Sequence, residues 1–299
     1  MRVAVIGLGS MGLGMARSLL AAGHEVVGCD VNPAACAAFK AAGGAIADTP
    51  AAAAKGAEAL VVVVVTADQT AALLSDDVLS AMAPDGVVIS CATMAPERAL
   101  ALAARVATTQ RSYLDAPMSG GAARAAKGEL TFMAAGSAAA FKRAQPALDA
   151  MAGKVYELGA EPGKGSAVKI VNQLLAGVHL AAMGEALAFA KRMGLDLGQV
   201  FEVIKASAGN SWMFENRAPR VVAGDYRPTS AVEIFVKDLG IVSDIGRGAR
   251  FPLPIAGAAL QMFLMAAAAG MGADDDSSVT RVYGRLAGLD LPGDKADKA

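Results

Sequence analysis

The stretch RVAVIGLGSMGLGM, residues 2–15, opens with a β-branched run and passes at once into Gly7-x-Gly9-x-x-Gly12. Arg2–Ile6 has the composition of a strand, and Leu13–Ala22 that of a helix closed by Gly23. A second strand, His24–Cys29, ends at Asp30, eighteen positions after Gly12. Glycines at this spacing between a strand and a helix, with an acid about twenty residues on, are the setting in which the motif binds a dinucleotide. Gly7 permits the tight turn, Gly9 lets the backbone approach a pyrophosphate, and Gly12 lets the helix pack close to the strand. The helix N-terminus then faces the phosphates. The competing reading, a glycine-rich turn with no ligand, is the weaker one in this context. Asp30 also selects the dinucleotide, because a carboxylate accepts hydrogen bonds from ribose hydroxyls and repels a 2′-phosphate. Val31, Asn32 and Pro33 follow without an arginine, so NAD is expected rather than NADP.

Working outward, strands and helices alternate. Leu60–Val65 is a continuous apolar run of the kind that forms a parallel strand buried on both faces. Further strands are expected at Val87–Cys91, Ser112–Asp115, Leu130–Ala134 and Lys154–Glu157. Helices are expected after Pro33 and over 68–82, 96–108 and 138–151. This alternation predicts an α/β domain with a doubly wound sheet over residues 1–161. From 162 to 288 only helical segments follow, over about 196–207, 212–223, 230–248, 255–269 and 275–287, so an all-α domain is expected there. Residues 289–299 read as a polar tail.

The all-α domain begins with one long helix, expected from Ser166 to Met193 and spanning roughly 42 Å at 1.5 Å per residue. Ser166 is the candidate N-cap. Val168, Val171, Leu175, Val178 and Ala182 recur at helical spacing as its apolar stripe. Lys169 and Asn172 share a different face, with Gln173 beside them. An ammonium in the first turn stands at the unfavourable end of the helix dipole, a field that drives it toward proton transfer. On this stretch alone, a solvated surface lysine is an equal reading.

Composition narrows the classes of function. The net charge is −1 with no basic run, which argues against a nucleic-acid partner. Cys29, Cys36 and Cys91 have no metal-like spacing, and a reduced, cytoplasmic chain is the default expectation. His24 and His179 are too few and too far apart to suggest a metal. The N-terminus does not read as a signal peptide. Phe251–Ala273 is uncharged and long enough to span a bilayer, but its two prolines and lack of basic flanks favour a buried helix over a membrane segment. A helix as long as the one after Gly163 exceeds a domain of this size, so a homodimer or homotetramer is expected to cover its apolar surface.

GLGSMGLGM (7–15), DAPMSGG (115–121), GKGSAVKIVN (163–172) and KDL (237–239) together resemble the signatures of the β-hydroxyacid dehydrogenase family, in order and over nearly the whole chain. The resemblance implies a Rossmann-type sheet followed by a helical domain, and NAD-dependent oxidation of a small carboxylate-bearing alcohol. It implies Lys169 as the catalytic lysine, with Asn172 bonding the substrate beside it. Ser119, Gly120 and Gly121 would hold the substrate carboxylate. Thr93 would lie by the nicotinamide ribose, Lys237 would approach the cofactor, and Met11 would press on the nicotinamide side of the glycine loop. The rest of Gly7–Asn32, including Ser10 and Val31, would carry the dinucleotide.

GGAARAAKG (120–128), VNQLLAGVHLAA (171–182), AGNSWMFENR (208–217) and AVEIFVKDLGIV (231–242) are similar to the threonate-type subgroup. That implies oxidation of the sugar acid L-threonate at C2 to 2-oxo-tetronate. Turnover of 3-hydroxyisobutyrate or tartronate semialdehyde is the alternative. A non-catalytic dinucleotide-binding module is the remote one, disfavoured by the presence of Lys169 and Asn172. Asn210 and Trp212, between two predicted helices, are candidate substrate contacts; Trp212 reads equally well as a subunit contact.

Overall fold

In a computed structural model, which describes residues 1–294, the opening stretch forms strand β1 (Arg2–Ile6) and helix α1 (Ser10–Ala21). Five parallel strands join β1: β2 (Glu25–Cys29), β3 (Ala45–Ile46), β4 (Ala59–Val62), β5 (Val87–Ser90) and β6 (Ser112–Asp115), in the order β3-β2-β1-β4-β5-β6. The order reverses between β1 and β4, which creates the crevice where such sheets take nucleotides. Val3 and Val5 belong to one apolar core, Ala4 and Ile6 to another. Successive side chains point to opposite faces, so a strand covered on both faces must be apolar throughout, which is why these runs do not alternate. Helices α2 (Pro33–Ala41), α3 (Pro50–Ala54), α4 (Ala67–Leu73), α5 (Asp76–Ala81) and α6 (Pro96–Ala107) complete the crossovers. The helix expected over 68–82 is thus two short ones. Thr66 and Gln69 cap the first reciprocally, and Ser75 opens the second.

Leu130–Ala134 and the strand expected at Lys154–Glu157 do not extend the main sheet. They are β8 (Leu130–Ala134) and β9 (Ala152–Glu157), which pair with β7 (Met118–Ser119) in a separate sheet ordered β7-β8-β9. β7 runs antiparallel to β8, β8 and β9 run parallel, and β9 is largely exposed. Helices α7 (Gly121–Ala125) and α8 (Ala138–Met151) flank this sheet's strands in sequence.

Helix α9 (Lys164–Arg192) has 29 residues, about 44 Å at 1.5 Å per residue. The chain forms two compact units, Met1–Ile170 and Val171 onward, so the division falls inside α9. The expected apolar stripe is the wrong face, with only Val178 half-buried against the core. Val168, Val171, Leu175 and Ala182 are exposed, and Ile170, Gln173, Gly177, Leu180, Gly184 and Leu187 are buried. The reason is the two glycines. A Cβ on Gly177 would stand 2.9 Å from the Leu239 side chain, and one on Gly184 would stand 3.2 Å from the Thr280 backbone. The inner face of α9 is chosen by how closely neighbours approach, not by how apolar its side chains are. Gly184→Ala is expected to destabilise the protein by about 1–3 kcal/mol, as overpacking does, because backbone cannot swing aside. Gly177→Ala should cost less, since a leucine side chain can yield. Urea midpoints of both variants would reverse this ranking if packing were loose.

The second unit continues with α10 (Leu197–Lys205), α11 (Trp212–Ala223), α12 (Val232–Gly248), α13 (Pro254–Ala266) and α14 (Val279–Ala287) around Leu180, Phe214, Phe235, Phe263 and Val279. Helix α13 is half-buried rather than buried. Ala256, Ala259, Phe263 and Ala266 face the core and Ile255 is exposed. The segment ends in a π-turn at Ala267–Met271, where Gly270 has φ +82°. By length and composition alone, α9 and Pro254–Met271 are apolar enough to cross a membrane, and both contribute a face to this core.

Three consecutive acids, Asp274–Asp276, stand just ahead of α14, where a solvated helix start would be expected, but two of them are inside. Asp275 and Asp276 are fully buried. Arg217 Nε lies 2.7 Å from Asp276 Oδ1, and Thr229 and Ser277 donate to Asp275. Burial pushes the Asp276 carboxyl up to about 6 against the pull of Arg217. A raised folded-state value means that this group's contribution is fully present below about pH 4 and fades as pH rises through about 6. Asp276→Asn is therefore expected to show a smaller loss of stability than wild type between pH 4.5 and 7. Parallel urea midpoints for the two proteins over that range would refute it.

The expected tail is partly docked. Leu291 is buried and Asp294 pairs with Arg281 at 2.7 Å. Residues 295–299 lie outside the described residues.

Candidate active site

Apart from Lys237, which belongs to the second unit, the predicted dinucleotide residues lie in the first unit, around the carboxyl ends of its strands. Gly7 has φ +95°, and a Cβ there would stand 2.2 Å from Val63 O. A Cβ on Gly12 would stand 1.8 Å from Gly7 O. Gly9 differs: a Cβ would meet nothing within 4 Å. Two of the glycines are thus demanded by the loop itself, while the middle one opens onto free space, as a close approach by a ligand requires. Helix α1 starts there with no side-chain cap and no acid in its first turn, so its leading amides remain available to an anion. Ser10 is exposed in that turn, and Met11 packs partly on the core.

Asp30 follows β2. Its carboxylate accepts from Leu8 N at 2.5 Å and from Asn32 N at 2.7 Å. Each oxygen keeps a further lone pair, so the carboxylate is both held and able to accept ribose hydroxyls. Val31 beside it is fully exposed. Thr93 lies three positions beyond β5, at the same end of the sheet. These residues fit a bound dinucleotide.

Ser119 ends β7, and Gly120 and Gly121 follow with φ +136° and +72°. Both values lie in the region that favours glycine, so the backbone turns sharply after the serine hydroxyl.

The start of α9 is held by a residue the sequence reading gave no role. Asp115, at the end of β6, accepts from Gly163 N and Ser166 N at 2.8 Å each and from Ser166 Oγ at 2.7 Å. It is 1% exposed. Burial raises its carboxyl above the ordinary range, although the bonds from Ser166 and Gly163 pull the other way. Ser166 is therefore not the N-cap. The helix begins two residues earlier, and the carboxylate of Asp115 takes up its leading amides. Lys169 consequently stands in the second turn, where the dipole has weakened. It is buried, at 7% exposure, so a solvated surface lysine is excluded.

In the second unit, Asn172 and Lys237 join one chain of polar contacts. Asn172 Nδ2 donates to Gln173 Oε1 at 2.9 Å, Gln173 Nε2 donates to Asp238 Oδ2, and Lys237 Nζ lies 2.7 Å from Asp238 Oδ1. Asp238, next to Lys237, reads in the sequence as a residue that orients this lysine or caps a helix, and it pairs with the lysine; Gln173 is the member to which the sequence assigns no site role. The available signal was Gln173's place four residues after Lys169, on the same helix face. Asn210 and Trp212 lie outside this chain, around the α10–α11 turn. Asn210 Nδ2 donates to Lys205 O at 3.0 Å, and its Oδ1 has no partner among the described residues. Trp212 opens α11 half-exposed.

Comparison with known proteins adds to this geometry. Residues 2–159 match the NAD binding domain of 6-phosphogluconate dehydrogenase, and residues 163–283 match the NAD-binding domain of NADP-dependent 3-hydroxyisobutyrate dehydrogenase. An L-threonate dehydrogenase from Cupriavidus necator is 51% identical over 97% of this chain and 98% of its own length. A 3-hydroxyisobutyrate dehydrogenase from Pseudomonas aeruginosa is 33% identical over 94% and 98%. A crystal structure described as 3-hydroxyisobutyrate dehydrogenase from Salmonella typhimurium superposes with TM-score 0.90 at 50% identity, covering 94% of this chain and 99% of that one.

Proposed function

From a chain that belongs to the β-hydroxyacid dehydrogenase family, as an NAD-dependent hydroxyacid dehydrogenase, we propose the oxidation of L-threonate at its C2 hydroxyl to 2-oxo-tetronate. The observation that carries the substrate is the 51% identity to an L-threonate dehydrogenase across nearly both full lengths. The second reading, 3-hydroxyisobutyrate, is favoured by the description of the Salmonella structure at 50% identity.

NAD, when bound, accepts the hydride. The chain's own residues hold the reactants and move the proton. The turn around Gly7, Gly9, Ser10, Met11 and Gly12, with Asp30 and Val31, holds the dinucleotide, and Asp30 takes the ribose hydroxyls. Thr93 and Lys237 serve the nicotinamide end. Ser119 Oγ and the backbone amides of Gly120 and Gly121 bind the substrate carboxylate. Lys169 takes the proton from the C2 hydroxyl, since an alcohol does not release hydride readily while it keeps that proton. A lysine held away from water is the form of this side chain that proteins use as a base. Asn172 bonds the same hydroxyl and orients it. Asn210, with its unpaired buried oxygen, and Trp212 recognise the rest of the acid.

The functional division assigned to the chain is 1–161 for the cofactor and 162–288 for substrate recognition and assembly. The exposed face of α9, with Val171, Leu175 and Phe189, is covered in a homodimer or homotetramer, and the enzyme works in the cytoplasm.

An absorbance assay at the NADH band tests the reading. NAD or NADP is offered with L-threonate, D-threonate, D-erythronate, 3-hydroxyisobutyrate and glycerate. NADH formation with L-threonate is the expected result. Turnover of 3-hydroxyisobutyrate alone would overturn the substrate, and preference for NADP would overturn the role of Asp30.

A further inference from the structure

The Ser119-Gly120-Gly121 turn offers an anion a hydroxyl and backbone amides, all of them neutral donors. Its open side is at Gly121, where a Cβ would meet nothing within 4 Å. At Gly120 the turn is lined by the stem of an arginine. A Cβ on Gly120 would stand 3.0 Å from Arg124 Cδ, 3.1 Å from Arg124 Cβ and 3.2 Å from Leu130 Cδ2. Arg124 belongs to α7 and follows Gly120 by one helical turn. Side chains on a helix lean toward its N-terminus, so the arginine stem runs back along the turn. The guanidinium begins one bond beyond Cδ and is therefore held next to it. Arg124 is exposed, and among the described residues its guanidinium has neither a hydrogen bond nor an ion pair.

The reaction leaves a place for such a charge. Lys169, as the proposed base, is neutral when the acid binds for oxidation, so it does not balance the substrate carboxylate. Arginine keeps its proton throughout. We propose that Arg124 is a binding residue for the acid: its guanidinium supplies the counter-charge to the carboxylate held by Ser119, Gly120 and Gly121, and so selects acids over neutral polyols of the same shape. The inference rests on the reading of that turn as the carboxylate site and deepens it. The turn gives direction through its N–H and O–H groups, and the arginine gives charge. Because the guanidinium is exposed, salt screens its attraction for the acid.

Arg124→Met keeps the stem against Gly120 and removes the charge. The acid turned over fastest by wild type is used, so the outcome does not depend on which acid that is. Its primary amide, with the same hydroxyls and no charge, is followed in parallel as substrate or competitive inhibitor. KM for the acid is expected to rise roughly 10-fold in Arg124→Met, the scale of one charge-assisted hydrogen bond, with kcat and KM for NAD within about 2-fold of wild type. The amide should lose less than about 2-fold, so the preference for acid over amide shrinks. Arg124→Lys keeps a cation and should stay within about 3-fold of wild type. Added salt should raise KM for the acid more in wild type than in Arg124→Met.

A KM for the acid within about 2-fold of wild type in Arg124→Met, or an equal loss for acid and amide, would overturn the proposal. Ser119→Ala separates it from the reading on which it rests. An unchanged KM for the acid in Ser119→Ala would show that the turn is not the carboxylate site, and the role of Arg124 would fall with it. A raised KM in Ser119→Ala without one in Arg124→Met would remove Arg124 alone. Should Arg124→Met not fold, Arg124→Gln removes the same charge with a polar side chain and must raise KM by a similar factor.

Discussion

Lys169→Met is expected to lower kcat by about 10³-fold while leaving NADH binding within a few-fold of wild type. The magnitude is that of a general base removed from proton transfer. Methionine is the preferred replacement because Lys169 is buried. Its unbranched chain fills the space of the lysine stem, whereas alanine would add a cavity to the chemical loss. The measurement is NADH formation under saturating acid and NAD, with NADH affinity followed by fluorescence titration. Partial recovery of Lys169→Ala, whose cavity admits a small primary amine, on adding that amine would identify the missing group as a base rather than an anchor. A Lys169→Met enzyme retaining a tenth of wild-type kcat would sink the assignment and move the role of base elsewhere.

Asp115→Ala is expected to damage both stability and turnover. The substitution leaves the Gly163 and Ser166 amides and the Ser166 hydroxyl without the acceptor they share at 2.7–2.8 Å. Buried donors left unpaired cost on the order of 1–3 kcal/mol, and about 3 kcal/mol is the expected net loss. That corresponds to a fall in Tm of roughly 6–12 °C for a unit of this size. Lys169 stands one turn beyond Ser166 on the same helix, so loosening the helix start displaces it. A misplacement of about 1 Å can cost on the order of 10²-fold in rate, and kcat should fall accordingly even well below the melting temperature. The pH dependence follows from burial. The folded-state carboxyl of Asp115 is raised above its ordinary value, so the stability it contributes is greatest at acid pH and declines as pH rises from about 4. The gap between wild type and Asp115→Ala should therefore widen as pH is lowered from 7 toward 4.5. A variant with normal Tm and normal kcat would show that α9 does not need this clamp.

Sequence and structure agree where the chemistry is local. The glycine spacing, Asp30 and the apolar runs of β1, β4 and β5 are legible because each answers to a constraint on a few consecutive residues. Gly7 and Gly12 have no room for a side chain, and a strand buried on both sides has no place for polar groups. The bounds of α8 and α11 are read correctly for the same reason, with Ser137 and Ser211 capping them. These features by themselves determine a doubly wound nucleotide-binding sheet followed by helices.

What tertiary structure alone decides involves residues far apart in the chain. The bonds that hold the start of α9 cross 48 and 51 positions, and the one from Gln173 to Asp238 crosses 65. No periodicity signals such a pairing. The inner face of α9 is decided similarly. The pattern of Val168, Val171 and Leu175 is apolar and helical, yet close approach at Gly177 and Gly184 turns that face outward. Asp275 and Asp276 look like solvated acids until Arg217 meets them from α11. Burial is a property of which surfaces meet, and a charged side chain goes inside only when its partner arrives there too. The local sequence thus determines the chemistry the chain carries, while packing between distant segments determines which of its polar groups are held rigidly enough to use it.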